Sequence, residues 1–145
     1  MKNKVVISAC LLGHTCRYDG KTKKTTEVSD AFRDCEIIPF CPEAPLFGTP
    51  RQRISVVEID GVNKIITDET KEDVTQLLED EINSFLDKHK EIDTIVLKSK
   101  SPSCGISTTP ILDKDRNKIA LGDGIAGAMM KVFYKDIAIL DETKF

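Results

Sequence analysis

The sequence predicts an α/β fold: one domain, residues 1–145, with a mainly parallel sheet flanked by helices and with a β-hairpin insertion. Strand and helix patterns alternate along the chain without an internal repeat, which is typical of a sheet that helices cover on both faces. The 40% of hydrophobic residues suffices for one core at this length. The hairpin follows from Asp60-Gly61, a dipeptide that favours tight turns, between two apolar runs.

Short apolar runs predict the strands of the sheet, and three of these runs lead into a cysteine. The second run stops at Pro42, because proline lacks the amide that a sheet ladder needs. The carboxyl ends of parallel strands meet at one edge of the sheet, as they do in Rossmann-like folds. The runs are Lys4 to Ala9 before Cys10, Cys35 to Phe40 before Cys41, Ile92 to Leu97 before Cys104, and Ile137 to Leu140.

Helical periodicity is clearest after the hairpin, where apolar residues recur at spacings of three and four. They predict a helix from about Glu69 or Lys71 to about Lys88, capped by Asp68 or Thr70. The other predicted elements are a helix at Val28 to Asp34, a hairpin of Ile54 to Ile59 and Val62 to Ile66, a small hairpin of Ile111-Leu112 and Ile119 to Leu121, and a helix at Ile125 to Tyr134. Irregular loops are predicted at Leu11 to Thr26 and at Ala44 to Arg51.

The charge pattern predicts a small-molecule partner and argues against a nucleic acid polymer. Net charge is −3, and the positive residues are scattered apart from one short lysine group. No segment approaches the roughly 20 apolar residues of a membrane span, and the N-terminus lacks a signal-peptide pattern. We therefore expect a cytoplasmic protein that is a monomer or a weak homo-oligomer. In a reducing compartment, five cysteines indicate metal-binding, catalytic or buried thiols before disulfides.

Cys10, Cys41 and Cys104 are the predicted metal ligands, because they follow strands whose ends converge. Soft thiolates select zinc, copper or iron–sulfur clusters, and the cysteine spacings do not match the knuckles of structural zinc. A [4Fe-4S] cluster takes one cysteine per iron, so three cysteines leave one iron for a substrate atom. The bland alternative is a thiol buried as a small hydrophobe. Cys35, at the start of its strand, is predicted to be a core or surface thiol. Cys16 could serve as a fourth ligand, as a residue that contacts the ligands without binding the metal, or as a structural thiol. The cysteine spacing does not distinguish these three roles.

Other side chains are predicted to act beside such a metal. Glu43 stands two residues after Cys41, where a carboxylate can serve as a general base, the alternative being a solvated loop residue. Ser101 and Ser103 precede Cys104, and their hydroxyls either orient a small ligand or bond their own loop. Weaker candidates are the amides of Gly122-Asp123-Gly124 for an anion or a carbonyl, the cations Arg51 and Arg53 for an acidic group, and Arg17, which either acts near a cluster or pairs with Asp19 on the surface.

The chain resembles the thiouracil desulfidase family in motifs that span nearly its whole length. The first block and the Ser-Pro-Ser-Cys-Gly block are the most specific. The matching blocks are Ser8-Ala9-Cys10-Leu11-Leu12-Gly13, Cys16-Arg17-Tyr18-Asp19-Gly20, Cys41-Pro42-Glu43, Thr49-Pro50-Arg51, Leu97-Lys98, Ser101-Pro102-Ser103-Cys104-Gly105 and Gly122-Asp123-Gly124-Ile125.

The resemblance implies an oxygen-sensitive [4Fe-4S] cluster held by Cys10, Cys41 and Cys104, with one open iron that takes the sulfur of a thiolated pyrimidine. Water then replaces sulfur at the ring carbon, which gives uracil and sulfide without net redox. In this scheme iron is a Lewis acid, Glu43 is the general base, and Ser101 orients the substrate or relays a proton. The resemblance therefore implies a desulfidase of sulfur metabolism.

Three stretches depart from the usual family pattern: Ala44 to Gly48 replaces a Gly-Gly-Leu stretch, Gly105-Ile106-Ser107 replaces Gly-Ser-Gly, and the helix after Gly124 reads Ile125 to Met130. All three border the predicted pocket, so they bear on the substrate and leave the cluster ligands intact. A second hypothesis is a non-enzymatic iron–sulfur or zinc protein that stores metal or senses oxygen. A cysteine-nucleophile enzyme is disfavoured, because neither histidine lies in a motif that activates a thiolate.

Overall fold

The structure, a computed structural model, describes residues 2–145 and alternates strands with helices as the sequence predicts. The strands are β1 (Lys4–Ser8), β2 (Glu36–Phe40), β3 (Ile54–Ile59), β4 (Val62–Thr67), β5 (Thr94–Leu97), β6 (Thr109–Leu112), β7 (Lys118–Gly122) and β8 (Ala138–Asp141). The α-helices are α1 (Thr26–Ala31), α2 (Ala44–Phe47), α3 (Thr75–Lys88) and α4 (Ile125–Phe133). Short 3₁₀ turns follow β1 and β8.

The first sheet is parallel, with strand order β2-β1-β5-β8, and this confirms the predicted parallel sheet. Its central strands, β1 and β5, are buried on both faces. Val6 and Ile95 point into the larger core, whereas Val5, Ile7 and Val96 pack in a smaller core on the other face. Because all four strands run in the same direction, the segments that leave β1, β2 and β5 emerge at one edge of this sheet.

The two predicted hairpins are present, and they join into a second four-stranded sheet of order β4-β3-β6-β7. At the first turn Asp60 and Gly61 both have positive φ, 53° and 79°, as the tight turn requires. The hairpins join through parallel pairing of Val56 with Ile111 and of Val57 with Leu112. The hairpin that the sequence predicts as an insertion is therefore half of a second sheet. A two-pair ladder between distant segments leaves no periodic signal in the sequence.

Helices α3 and α4 cover the larger core, which also contains residues from both sheets. Leu78, Ile82 and Leu86 of α3 are buried at the predicted spacing. The predicted start of this helix was wrong, because it begins at Thr75. Residues 67–73 instead fold back along β4, where Ile66 bridges Asp73 and the Thr67 amide donates to the Glu72 carbonyl.

Three smaller corrections concern the ends of helices. Neither Asp68 nor Thr70 caps α3; Asp73 accepts the amide hydrogen of Thr75 at 3.0 Å instead. The first helix spans Thr26–Ala31 rather than Val28 to Asp34, and the predicted loop after Cys41 contains the single turn α2. Across residues 2–145, none of the helices has the length and apolar character needed to cross a membrane.

Candidate metal centre

Four cysteines line one cavity of about 590 Å³ at the carboxyl edge of the parallel sheet. Three of them, Cys10, Cys41 and Cys104, are the predicted ligands, and the structure adds Cys16. Cys104 is the most buried, with 6% of its surface exposed. Cys35 lies away from this cavity against the smaller core, as the sequence predicts. The parallel topology therefore brings together thiols that are far apart in the chain.

The segment after β1 holds Cys10 and Cys16 in place. Cys10 lies in the 3₁₀ turn Ala9–Leu12, which ends at Gly13 with a φ of 100°. The Cys10 carbonyl accepts hydrogen bonds from the Lys23 amide at 3.1 Å and from the Thr22 hydroxyl at 2.8 Å. These two bonds close the long loop over the cavity. The Cys41 thiol in turn donates to the Cys16 carbonyl at 3.9 Å.

The loop that carries Cys104 is fixed by its own hydroxyls and by the start of α4. The Ser101 hydroxyl oxygen accepts the amide hydrogens of Ser103 at 3.2 Å and of Cys104 at 3.0 Å. The carbonyls of Pro102 and Ser103 accept the amides of Ile125 at 3.0 Å and of Ala126 at 2.7 Å. The sequence left an anion or a carbonyl as the partner of the amides at Gly122-Asp123-Gly124. The structure shows carbonyls of the cysteine loop in that place, since the Gly124 amide donates to the Gly105 carbonyl at 2.8 Å.

Glycines make the close contact between α4 and the cysteine loop possible. A Cβ atom placed on Gly127 would lie 2.4 Å from the Gly105 carbonyl oxygen. We expect Gly127→Ala to lower the free energy of unfolding by about 1–3 kcal/mol, because the backbone must shift, and to weaken retention of a bound metal. Denaturant unfolding measures the first effect. Val132→Ala, at a 78% exposed site on the same helix, is the control, and equal stability of the two variants would contradict the packing argument.

Burial and neighbouring thiols make Cys16, Cys41 and Cys104 poor free nucleophiles. Burial is the main reason that the pKa of Cys104 is raised to about 12, although the hydroxyls of Ser8 and Ser101 act in the opposite direction. The pKa of Cys16 is raised chiefly by Cys10, and the pKa of Cys41 is raised chiefly by the Cys16 thiol and then by burial. A nucleophilic cysteine needs a lowered pKa, whereas a metal deprotonates its thiol ligands outright. The thiols suit metal binding better than nucleophilic attack.

Glu43 lies on the wall of the same cavity and is held by two partners from different segments. The Ser103 hydroxyl donates to Glu43 Oε2 at 2.7 Å. Nε and Nη2 of Arg51 both lie 3.4 Å from Glu43 Oε1. The side chains of Arg51 and Glu43 are only 5% and 13% exposed, so Glu43 is not the solvated loop residue of the alternative interpretation.

Some contacts at the cavity were not predicted from the sequence. The sequence suggested Arg51 as a cation for a substrate or as a solvated loop residue, and Ser103 as a partner of its own loop or of a ligand. Arg53 stacks over the Tyr18 ring at 4.8 Å, and Lys98 on the cavity wall pairs with Glu142 at 3.0 Å. In the sequence, Arg51 and Lys98 stand out only as members of the Thr49-Pro50-Arg51 and Leu97-Lys98 blocks. Those blocks do not indicate which side chains Arg51 and Lys98 contact.

The donor set fits a [4Fe-4S] cluster. The cavity offers soft thiols, and its wall also carries cationic side chains that can balance thiolate charge. These cations are Arg17, Lys23, Arg51, Arg53, Lys98 and Lys100. Among the residues described, no three or more Cys, His, Asp or Glu side chains are grouped closely enough to hold a single metal ion. A cluster does not need such a group, because each of its thiolates binds a different iron.

Comparisons with known proteins relate the whole chain to one family. A family model described as 2-thiouracil desulfurase matches residues 5–142. An uncharacterized protein of Bacillus subtilis (strain 168), YbbK, is 30% identical over 136 residues, which cover 88% of this chain and 89% of that protein. A solved structure, described as the [4Fe-4S]-dependent thiouracil desulfidase TudS, is 28% identical with a TM-score of 0.74, covering 99% of this chain and 93% of that chain.

Proposed function

Because this chain belongs to the 2-thiouracil desulfurase family, we propose that it replaces the sulfur of a thiolated pyrimidine such as 2-thiouracil with oxygen and releases sulfide. The predicted family, α/β fold class, desulfidase activity and [4Fe-4S] dependence are confirmed by the family match and by the similarity to TudS. The observation that supports the proposal most strongly is the meeting of the strand-end thiols and Glu43 in one cavity.

Cys10, Cys41 and Cys104 are the residues that we propose as cluster ligands. Each follows a different strand of the parallel sheet, and together they surround a cavity large enough for a small ring. When bound, the cluster supplies a Lewis acid for the substrate sulfur through an iron that has no protein ligand. Cys104 is the most buried of the three, so its sulfur is the least accessible to water.

Glu43 is the proposed general base. Its carboxylate faces the cavity that contains the thiols, so it can accept a proton from the water that attacks the ring carbon. Ser101 is proposed as a hydroxyl that orients the substrate or relays a proton. Its oxygen already accepts two amide hydrogens, which leaves its own hydroxyl hydrogen free to be donated toward the cavity.

The working unit that we propose is the single domain of residues 1–145, acting in the cytoplasm as a monomer or a weak homo-oligomer. The thiols, Glu43 and the partners of Glu43 all come from one chain, so the site needs no second copy. Free thiols in the cavity and a cluster sensitive to oxygen both suit a reducing compartment. The proposed partner is a free thiolated base or a related small thioamide.

Anaerobic reconstitution with iron and sulfide tests this function. We expect about four irons per chain with visible absorption typical of a cluster, and sulfide and uracil formed in equal amounts from 2-thiouracil. Protein without the cluster is the control and should release no sulfide. A bound cluster that releases no sulfide from 2-thiouracil or from 4-thiouracil would contradict the reaction, and the absence of any cluster under reducing conditions would overturn the whole proposal.

A further inference from the structure

We propose that Arg51 and Ser103 are positioning residues that hold the Glu43 carboxylate in one orientation. This inference rests on the proposed function, in which Glu43 is the general base. The Ser103 hydroxyl donates to one carboxylate oxygen at 2.7 Å, and Arg51 approaches the other with two nitrogens at 3.4 Å each. The two oxygens of Glu43 therefore have different partners, and turning the plane of the carboxylate away from this orientation would break both sets of contacts.

Ser103 and Arg51 are each held by further hydrogen bonds, so the two residues that orient Glu43 are themselves fixed in position. Ser103 is fully buried, and its carbonyl accepts the amides of Ala126 and Gly127 at the start of α4. Arg51 uses its third nitrogen, Nη1, to donate to the Gly48 carbonyl at 2.9 Å, and its backbone amide donates to the Tyr18 carbonyl at 2.6 Å. An arginine fork is suited to this task, because a lysine cannot contact a carboxylate and a carbonyl with the same planar geometry.

The number of contacts leaves the carboxylate able to react. A carboxylate has about four acceptor positions, and the two nitrogens of Arg51 with the Ser103 hydroxyl occupy three of them. The remaining position is available for the proton of a water molecule. Arg51 and Ser103 thus determine where the base points and leave one acceptor position open.

The structure also separates the roles of the two serines before Cys104. The Ser101 hydroxyl oxygen accepts hydrogen bonds from two amides of its own loop, whereas the Ser103 hydroxyl donates to Glu43. A loop with the sequence Ser-Pro-Ser-Cys places the two hydroxyls on different partners. We therefore expect loss of the Ser103 hydroxyl to lower the turnover rate without lowering the cluster content.

Kinetics of Ser103→Ala and Arg51→Ala in cluster-loaded protein test the proposal. We expect kcat to fall by about 10²-fold in each, as for a misplaced catalytic group, with KM, iron content and the visible spectrum unchanged. Added guanidinium should restore part of the kcat of Arg51→Ala. Arg33→Ala, at an exposed arginine outside the cavity, is the control. Its kcat should equal that of the unsubstituted protein and should not change when guanidinium is added. No rescue in a protein that keeps its cluster would overturn the role of Arg51.

A double-mutant cycle with Glu43→Gln separates positioning from a general structural role. If Arg51 and Ser103 act through Glu43, their removal has no further effect on the residual rate of Glu43→Gln. Additive losses would overturn the inference while leaving the proposed function intact. Unchanged turnover in Glu43→Gln alone would instead overturn the general base. If the residual rate is below detection, the guanidinium rescue and the kcat of Ser103→Ala decide.

Discussion

Cys104→Ser is expected to produce a folded protein that binds no [4Fe-4S] cluster and releases no sulfide. Serine has nearly the shape of cysteine, and at this buried site its hydroxyl has the hydroxyls of Ser8 and Ser101 as neighbours, so the loop should keep its structure. An alkoxide or hydroxyl is a harder ligand than a thiolate and is poorly suited to iron in a cluster. Iron content after anaerobic reconstitution should fall from about four per chain to near zero.

Cys35→Ser is the matched control for this prediction. Cys35 is also partly buried, yet it packs beside the smaller core rather than in the cavity. We expect its iron content and sulfide release to equal those of the unsubstituted chain. A Cys104→Ser protein that retains a full cluster would show that the ligand set is different, and Cys16, the remaining thiol of the cavity, would then be the first alternative.

Glu43→Gln is expected to keep the cluster and to lose turnover by about 10²–10⁴-fold, which is the usual contribution of a general base. Glutamine has the same length, and its amide can still accept from Arg51 while its NH₂ group donates to the Ser103 hydroxyl oxygen. It cannot take a proton from water. Sulfide release should therefore fall while iron content and the visible spectrum stay unchanged.

Glu58→Gln, at an exposed site on β3, is the control and should leave both measurements unchanged. The result also distinguishes the desulfidase from a protein that only stores metal or senses oxygen, since neither of those functions needs a base. Turnover at the full rate in Glu43→Gln would remove Glu43 from the mechanism. Loss of the cluster in this variant would show that Glu43 supports the metal rather than the reaction.

Prediction from sequence worked best where a feature depends on neighbouring residues. The parallel strands, both hairpins and the long helix follow from local periodicity and turn chemistry, and the structure confirms their existence. The start of α3 was predicted too early because Glu69 and Lys71 suit a helix. The pairing of β4 with residues 72–73 overrides that preference, and such a contact cannot be read from a local pattern.

The candidate site shows the same division. That Cys10, Cys41 and Cys104 reach one cavity was predictable, since each follows a strand and parallel strands end at one edge. The use of the α4 amides by the Pro102 and Ser103 carbonyls was not predictable, because glycines before a helix suit an anion and a protein carbonyl equally well.

The sequence by itself determined the fold class, the family and which thiols and carboxylate are available for chemistry, because residue type and strand position are properties of the chain. Tertiary structure decided which distant segments meet. It placed Cys16 at the cavity, brought Ser103 and Arg51 to Glu43, and joined the two hairpins into one sheet. The physical reason is that hydrogen bonds and ion pairs depend on distances of a few ångströms between atoms of distant segments. Only packing of the whole chain sets those distances.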